Sequence, residues 1–100
     1  MYFVTGLEKL ELNENETFVT GSTRCFGYYQ NKSDAFNIVK ENSYNINEFT
    51  YDYVVIEKIN EGVHSYCIER WFFRFDYSYK KYSLIEEPKI VKHYVNFSIG

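Results

Sequence analysis

The sequence predicts an α+β fold: one compact domain, residues 1–100, in which a mostly antiparallel sheet of about five strands carries one main helix on one face. Three observations predict it. Segments rich in aromatic and β-branched residues recur along the chain. One segment has helical periodicity, and the late strands are joined by turns too short for crossovers. A chain of 100 residues has room for a single hydrophobic core.

Before the helix, the sequence predicts two strands separated by a polar segment. "MYFVT" at residues 1–5 favours a strand that ends at Gly6. "STRCFGYYQ" at residues 22–30 predicts the second strand, with a bulge or a close backbone approach at Gly27. Between them, "LEKLELNENETFVTG" alternates glutamates with asparagines, which is typical of a solvated loop. The spacing of its glutamates does not match a calcium-binding loop.

The helix is predicted within "DAFNIVKEN", residues 34–42. Its residues follow the i, i+3, i+4, i+7 spacing that places apolar side chains on one helical face. Asn31 or Ser33 is the expected N-cap. Residues 42–47 are expected to be the frayed end of the helix. The side chains predicted to pack on the sheet are Ala35, Phe36, Ile38 and Val39.

The second half of the chain predicts three more strands. "TYDYVVIEKI" at residues 50–59 has apolar groups on both faces, which is typical of a central strand. After a turn, "SYCIERWFFRFD" at residues 65–76 predicts a long strand. "YSLIEE" at residues 82–87 predicts the last one, which Pro88 ends. The tail after Pro88 alternates apolar residues and is expected to pack on the body of the domain.

Composition and charge limit the partners. Eleven tyrosines, whose hydroxyls need hydrogen-bond partners, favour clefts and subunit interfaces, so the chain is expected to form a homo-oligomer. A net charge of -3 with scattered basic residues argues against a DNA, RNA or membrane partner. No apolar stretch is long enough for a bilayer and no signal peptide is visible, which predicts a cytoplasmic protein. Cys25 and Cys67 are therefore expected to be reduced thiols.

Two of the three arginines lie in "IERWFFRFD", where strand alternation places Arg70, Phe72 and Arg74 on one face. The two arginines are then about 13 Å apart, too far to grip a single phosphate. They could hold the ends of a longer anionic ligand whose base or sugar rests on Phe72. The alternative is an exposed strand whose arginines pair with carboxylates across the sheet, from Asp76, Glu57 or Glu86.

The third arginine, Arg24, directly follows Ser22 and Thr23. Backbone N–H groups, two hydroxyls and a guanidinium make a reasonable anion-binding cluster, although the same residues also suit an ordinary turn into a strand. The sequence thus predicts one ligand-binding pocket at a homo-oligomer interface. Its predicted residues are Ser22, Thr23, Arg24, Arg70, Phe72 and Arg74.

No catalytic, metal-binding or cofactor-binding signature stands out. The two cysteines and two histidines lack the paired spacing of a structural zinc site. The chain also has no nucleophile elbow, phosphate loop or dinucleotide fingerprint. We therefore expect a protein without catalytic residues, metal or cofactor. The enzymatic alternative is a small nucleotide hydrolase with His64 or His93 as its base.

Four stretches carry a resemblance: "VTGLEKL", "TRCFGYY", "YDYVVIEKINEG" with "ERWFF", and "IEEPKIVKHYVNFSIG". They resemble a group of small proteins of low-GC Gram-positive bacteria and their phages. In its general make-up the chain is also similar to the Thoeris anti-defence sponges of phages. That resemblance implies only a functional class, the binding of a cyclic ADP-ribose isomer or a related immune signal without cleavage.

The residues and the resemblance together predict a phage-type anti-defence protein that sequesters a small nucleotide-derived signal. Arginines suit a pyrophosphate, and phenylalanine and tyrosine rings suit a purine face. The alternative from a different class is an inhibitor or adaptor that docks on a host protein through a tyrosine-rich surface.

Overall fold

The computed structural model describes residues 1–62, 67–91 and 96–98, apart from the side chain of Phe18. The fold is α+β, as predicted, with one α-helix packed on a five-stranded antiparallel sheet. Its elements are β1 (Tyr2–Leu7), β2 (Glu11–Leu12), β3 (Phe18–Val19), β4 (Thr23–Tyr29), α1 (Lys32–Lys40), β5 (Tyr53–Ile59), β6 (Cys67–Asp76) and β7 (Lys81–Ile85). Two short 3-10 turns, Ser43–Asn45 and Lys89–Val91, follow α1 and β7.

The main sheet has the strand order β4-β1-β5-β6-β7, so β4 and β7 are its edges. β5 lies at the centre, which confirms the prediction drawn from its two apolar faces. β2 and β3 pair with each other and extend the β1–β4 hairpin as a two-stranded ribbon. The prediction of a plain loop at residues 7–21 was therefore wrong over this ribbon, because strands of two residues are too short to leave an alternating pattern.

Helix α1 covers one side of the sheet, which we call the helix face. Asn31 caps the helix by accepting a hydrogen bond from the backbone N–H of Ser33 at 2.9 Å, as predicted. Ala35 and Val39 are fully buried against the sheet, and Phe36 and Ile38 pack beside them, which confirms the predicted apolar face. The sheet residues of this core include Val4, Val54, Ile56, Phe73 and Phe75.

The chain that follows β7 covers the opposite side, which we call the second face. Val91 is fully buried there with Leu7, Val55 and Phe72. The ring of Phe97 meets that of Phe72 edge-on, with centroids 5.9 Å apart. The predicted packing of the tail is confirmed at Val91 and Phe97 but was wrong at Ile90, which is 37% exposed. Two other apolar residues of the tail, Tyr94 and Ile99, lie outside the described residues.

A fully buried carboxylate, Glu57, fastens this C-terminal segment to the centre of the sheet. It accepts hydrogen bonds from the backbone N–H groups of Phe97 and Ser98 at 2.9 Å and from the Ser98 hydroxyl at 2.5 Å. The Ser98 hydroxyl is also 2.7 Å from that of Thr5, and an Arg70 nitrogen lies 3.8 Å from the carboxylate. A buried charge is stable only with such partners, so Glu57 and the C-terminal segment depend on each other.

The exchange Glu57→Ala tests this dependence. It removes the acceptor of hydrogen bonds from three donors and leaves the Arg70 charge without its buried counterpart, so we expect the free energy of unfolding to fall by about 3–5 kcal/mol. Urea denaturation measures the loss. Glu11→Ala is the matched control, because its exposed carboxylate pairs with Lys9 at 3.3 Å and contributes at most about 1 kcal/mol. Equal unfolding midpoints for the two variants would contradict the role of Glu57.

Candidate functional site

The six residues predicted to share a pocket lie on opposite faces of the sheet. Residues that pair directly across antiparallel strands project to the same face. Arg24 pairs with Gly6, which pairs with Val54 on the helix face, whereas Arg74 pairs with Tyr53 on the second face. Strands β1 and β5 also separate β4 from β6, a distance of about 14 Å at the usual strand spacing. Within one chain, the structure does not bring Arg24 together with the arginines of β6.

Arg70 is engaged in the fold. Its side chain is only 10% exposed, and its Nε donates to a carboxylate oxygen of Glu87 at 2.5 Å. One terminal nitrogen, Nη2, donates to the Val91 carbonyl at 2.8 Å. The other, Nη1, lies 3.8 Å from Glu57 and has no hydrogen-bond partner among the described residues. Arg70 therefore helps to hold the C-terminal segment through Glu57 and Glu87. This agrees with the alternative to ligand binding, in which the strand arginines pair with carboxylates.

Phe72 and Arg74 differ in their access to a ligand. Phe72 is fully buried under the C-terminal segment, so its ring offers no open face for a base. Arg74 is exposed, with its guanidinium carbon 6.0 Å from the centre of the Tyr53 ring. Of the three β6 residues predicted to bind, Arg74 is the one that a ligand can reach in the isolated chain.

The turn at Gly21 and Ser22 already holds an anionic group. The carboxylate of Glu8 accepts a hydrogen bond from the backbone N–H of Ser22 at 3.2 Å. It lies so close to Gly21 that a β-carbon there would be 2.0 Å from the Glu8 oxygen. The predicted affinity of this turn for anions is thus satisfied by the chain itself, while the side chains of Ser22 and Thr23 stay exposed.

A groove of about 530 Å³ opens on the helix face between β4 and the segment that follows α1. Its volume lies within the range of about 300–1,000 Å³ found for small-molecule sites. Arg24 is the sequence-predicted binding residue that lines it. The full lining is Val4, Arg24, Phe26, Gly27, Tyr28, Tyr29, Ile38, Tyr44, Ile46 and Glu48.

A β-bulge shapes the wall that β4 contributes. The register between β1 and β4 shifts so that Phe26 is an extra residue, next to Gly27 with φ of 144°. The bulge predicted at Gly27 is thereby confirmed. The Phe26 ring crosses β1 above Gly6, where a β-carbon would be 2.8 Å from it, and meets Tyr51 edge-on at 5.6 Å. Glycine at position 6 therefore lets this ring reach the groove.

The facing wall is built on left-handed backbone. Tyr44, Glu48 and Phe49 have φ between 49° and 58°. Asparagine adopts this conformation readily, as Asn42 and Asn45 do here, but for other L-residues it costs roughly 1–2 kcal/mol each. Backbone strain of this kind concentrates at ligand sites and persists only when neighbouring contacts enforce it.

Two asparagine side chains enforce this conformation. The buried Asn47 donates from Nδ2 to the Tyr51 carbonyl at 2.9 Å and accepts the Phe49 N–H on Oδ1 at 2.9 Å. Asn42 accepts the Asn47 N–H at 2.9 Å. The prediction of a frayed helix end at residues 42–47 was therefore wrong, because these side-chain bonds replace the helical ones. The clustering of asparagines in "ENSYNINEF" is the sequence signal that could have indicated an ordered turn.

An exposed ion pair is part of the groove lining. Nη1 of Arg24 lies 2.9 Å from Oε1 of Glu48, and the two side chains are 57% and 42% exposed. The guanidinium also rests 5.2 Å from the centre of the Phe26 ring. Exposed pairs contribute about 0–1 kcal/mol, so a ligand can replace either partner at little energetic cost.

The part of the chain that the structure describes gives little support for a metal site, a histidine-based active site or a membrane-spanning helix. There, no group of three or more histidine, cysteine, aspartate or glutamate side chains could hold a metal ion. His64 and His93, the bases of the hydrolase alternative, lie outside the described ranges. Cys25 and Cys67 are free thiols. No described helix has both the length and the apolar character needed to cross a membrane.

Comparisons with known proteins add no assignment. No protein-family model matches the chain, and no curated protein or solved structure matches it either. The predicted kinship with the Thoeris anti-defence sponges stays a prediction, and function has to be inferred from the geometry of the groove.

The reactivity of Cys67 reports on the buried cluster of the second face. Burial, followed by the nearby charge of Glu57, raises the pKa of the Cys67 thiol to about 11. Because the thiolate is the reactive form, only about one molecule in a thousand reacts readily at pH 8. In Cys25→Ser protein we expect the alkylation rate of Cys67, followed by mass spectrometry, to rise throughout the range from pH 7 to about pH 10. A rate that levels off below about pH 9, as for an ordinary thiol, would contradict this environment.

Proposed function

We propose that this protein binds a nucleotide-derived signal, such as a cyclic ADP-ribose isomer, in the β4 groove and sequesters it without cleavage. One observation carries the proposal: an accessible guanidinium, Arg24, stands at the rim of a groove lined by aromatic residues. Nucleotides combine an anionic phosphate with a flat base, and this groove presents a matching group for each.

The phosphate is assigned to Arg24. Its guanidinium carries five N–H donors, and Glu48 engages one of its nitrogens at 2.9 Å. A phosphate that binds in the bidentate geometry that guanidinium groups favour can displace Glu48 from Arg24. Glu48 is then available to accept hydrogen bonds from the sugar hydroxyls. The exposed pair thus exchanges one internal contact for two contacts with the ligand.

The base is assigned to the aromatic part of the lining. Phe26 and Tyr29 pack on the edge of the helix-face core, and Tyr44 is 90% exposed at the opposite wall. Stacking of a base on such rings contributes about 1–3 kcal/mol per base and does not depend strongly on sequence. The groove volume of about 530 Å³ is within the range that accommodates small-molecule ligands.

Retention without cleavage is favoured by the groups available. Among the described residues that line the groove, Glu48 is the one carboxylate, and it is paired with Arg24. Acid–base cleavage ordinarily needs two positioned groups, one to give and one to take a proton. Beside Glu48 and Arg24, the described lining offers tyrosine hydroxyls but no histidine, aspartate, lysine or cysteine, which favours storage of the ligand over its hydrolysis.

Ligand-induced stabilisation tests the proposal. In a thermal-shift panel of ADP-ribose isomers and cyclic oligonucleotides, a ligand at 100 times its Kd should raise the free energy of unfolding by about 2.7 kcal/mol. Arg24→Ala should abolish the shift while lowering the stability of the free protein by less than about 1 kcal/mol. Arg74→Ala is the matched control, since it removes another exposed arginine, from the other face.

Other outcomes would reject the proposal. No stabilisation by any compound of the panel would reject nucleotide binding. A shift lost in Arg74→Ala but kept in Arg24→Ala would place the ligand on the second face. Bound ligand released by heat should elute intact in chromatography, whereas a converted product would support the hydrolase alternative.

A further inference from the structure

Two aromatic side chains project into solvent on the segment that forms one wall of the groove. Tyr44, which lines the groove, is 90% exposed, and Phe49, which directly follows the lining residue Glu48, is 85% exposed. The exposed Tyr28 ring does not belong with them, because Tyr28 pairs with Phe3 and projects with it to the second face. Large rings are the residues most enriched in the centres of protein interfaces, so two exposed rings on one short segment indicate a contact surface.

The backbone under these two rings supports the same interpretation. Tyr44 has φ of 58° and Phe49 of 57°, a conformation that glycine and asparagine adopt far more easily. The chain thus holds two bulky rings outward in an unfavourable conformation, and in the isolated chain neither ring gains much burial in return. An interface would provide that burial.

The surface is complementary to itself. Projecting rings and a groove of about 530 Å³ lie side by side on it, so a two-fold axis can place the rings of each copy against the groove of the other. If a large ring buries about 150–250 Å², the two exposed rings of each copy together provide on the order of 600 Å². The groove surface that covers these rings loses a similar area, which brings the total towards the roughly 1,200 Å² at which specific interfaces begin.

Charge favours a second copy over an unrelated partner. Arg24 and Glu48 lie 2.9 Å apart at the rim, so the surface carries both signs within one small area. A two-fold axis there brings the arginine of one copy towards the glutamate of the other. In addition, β4 pairs with β1 alone among the described residues, and its outer edge is free to meet the same edge of a second copy.

We propose that two copies of this chain associate about a two-fold axis at the β4 groove, with Tyr44 and Phe49 of each copy packed against the groove of the other. The role of the dimer in ligand binding rests on the proposed function, because the second copy then supplies the ring that covers a base lying on Phe26. Formation of the dimer does not rest on it, since the rings and the groove meet without a ligand.

The test distinguishes the loss of an interface ring from unfolding of the protein. Asparagine tolerates left-handed backbone, so Tyr44→Asn and Phe49→Asn should keep or raise the melting temperature while each raises the Kd of the dimer at least tenfold. Sedimentation equilibrium measures that Kd, and wild-type protein should reach twice the chain mass of 12.1 kDa. Tyr79→Asn is the control, because it removes a ring that is 79% exposed in the β6–β7 turn and should leave the Kd unchanged.

Three results would overturn the inference. The first is a wild-type protein that stays monomeric up to about 1 mM. The second is a dimer that both variants leave intact. The third is a monomer whose Tyr44 and Phe49 rings bind a different protein. Failure of the proposed function gives another pattern, in which the wild type is a dimer and no compound of the nucleotide panel stabilises it.

Discussion

The rest of the structure depends on the hydrogen bonds between the buried carboxylate of Glu57 and the C-terminal segment. It lies at the centre of the sheet and binds the backbone of Phe97 and Ser98, which fixes the C-terminal segment over the second face. Arg70 belongs to the same cluster through Glu57 and Glu87. This cluster covers Arg70 and Phe72, and the pocket beside the exposed Arg74 has a volume of about 370 Å³, against about 530 Å³ for the β4 groove on the helix face. The β4 groove is therefore the roomier of these two surfaces that combine a guanidinium with aromatic rings.

The groove depends on two local departures from regular structure. On one wall, the bulge at Gly27 and the absence of a side chain at Gly6 let the Phe26 ring cross β1. On the other, Asn47 holds a left-handed segment in place and presents Tyr44 to the groove. Both departures reduce local stability, and both place aromatic rings where a ligand or a second copy can use them. The proposed binding and the proposed dimer therefore draw on the same strained elements.

The sequence predicted the fold better than the site, for physical reasons. Apolar patterning reports which side chains face a core: helical periodicity correctly indicated α1, and apolar residues on both faces correctly indicated the central strand β5. A glycine within a strand correctly indicated the bulge at Gly27. Periodicity does not report what covers a face. Arg70 and Phe72 looked exposed because nothing local shows that residues distant along the chain lie over them, and a carboxylate such as Glu57 is buried only through partners 40 residues away. The ordered turn held by Asn47 was missed because hydrogen bonds between side chains and the backbone produce no periodic pattern in the sequence.

The most direct test of the central claim is a two-dimensional ¹H–¹⁵N NMR titration of the protein with the best-stabilising nucleotide. If the ligand occupies the β4 groove, the largest shift changes will fall on the amides of Arg24, Gly27 and Glu48, while Arg74 and Ser83 on the second face stay unchanged. Changes centred on Arg74 and Ser83, with the groove amides unmoved, would contradict the account.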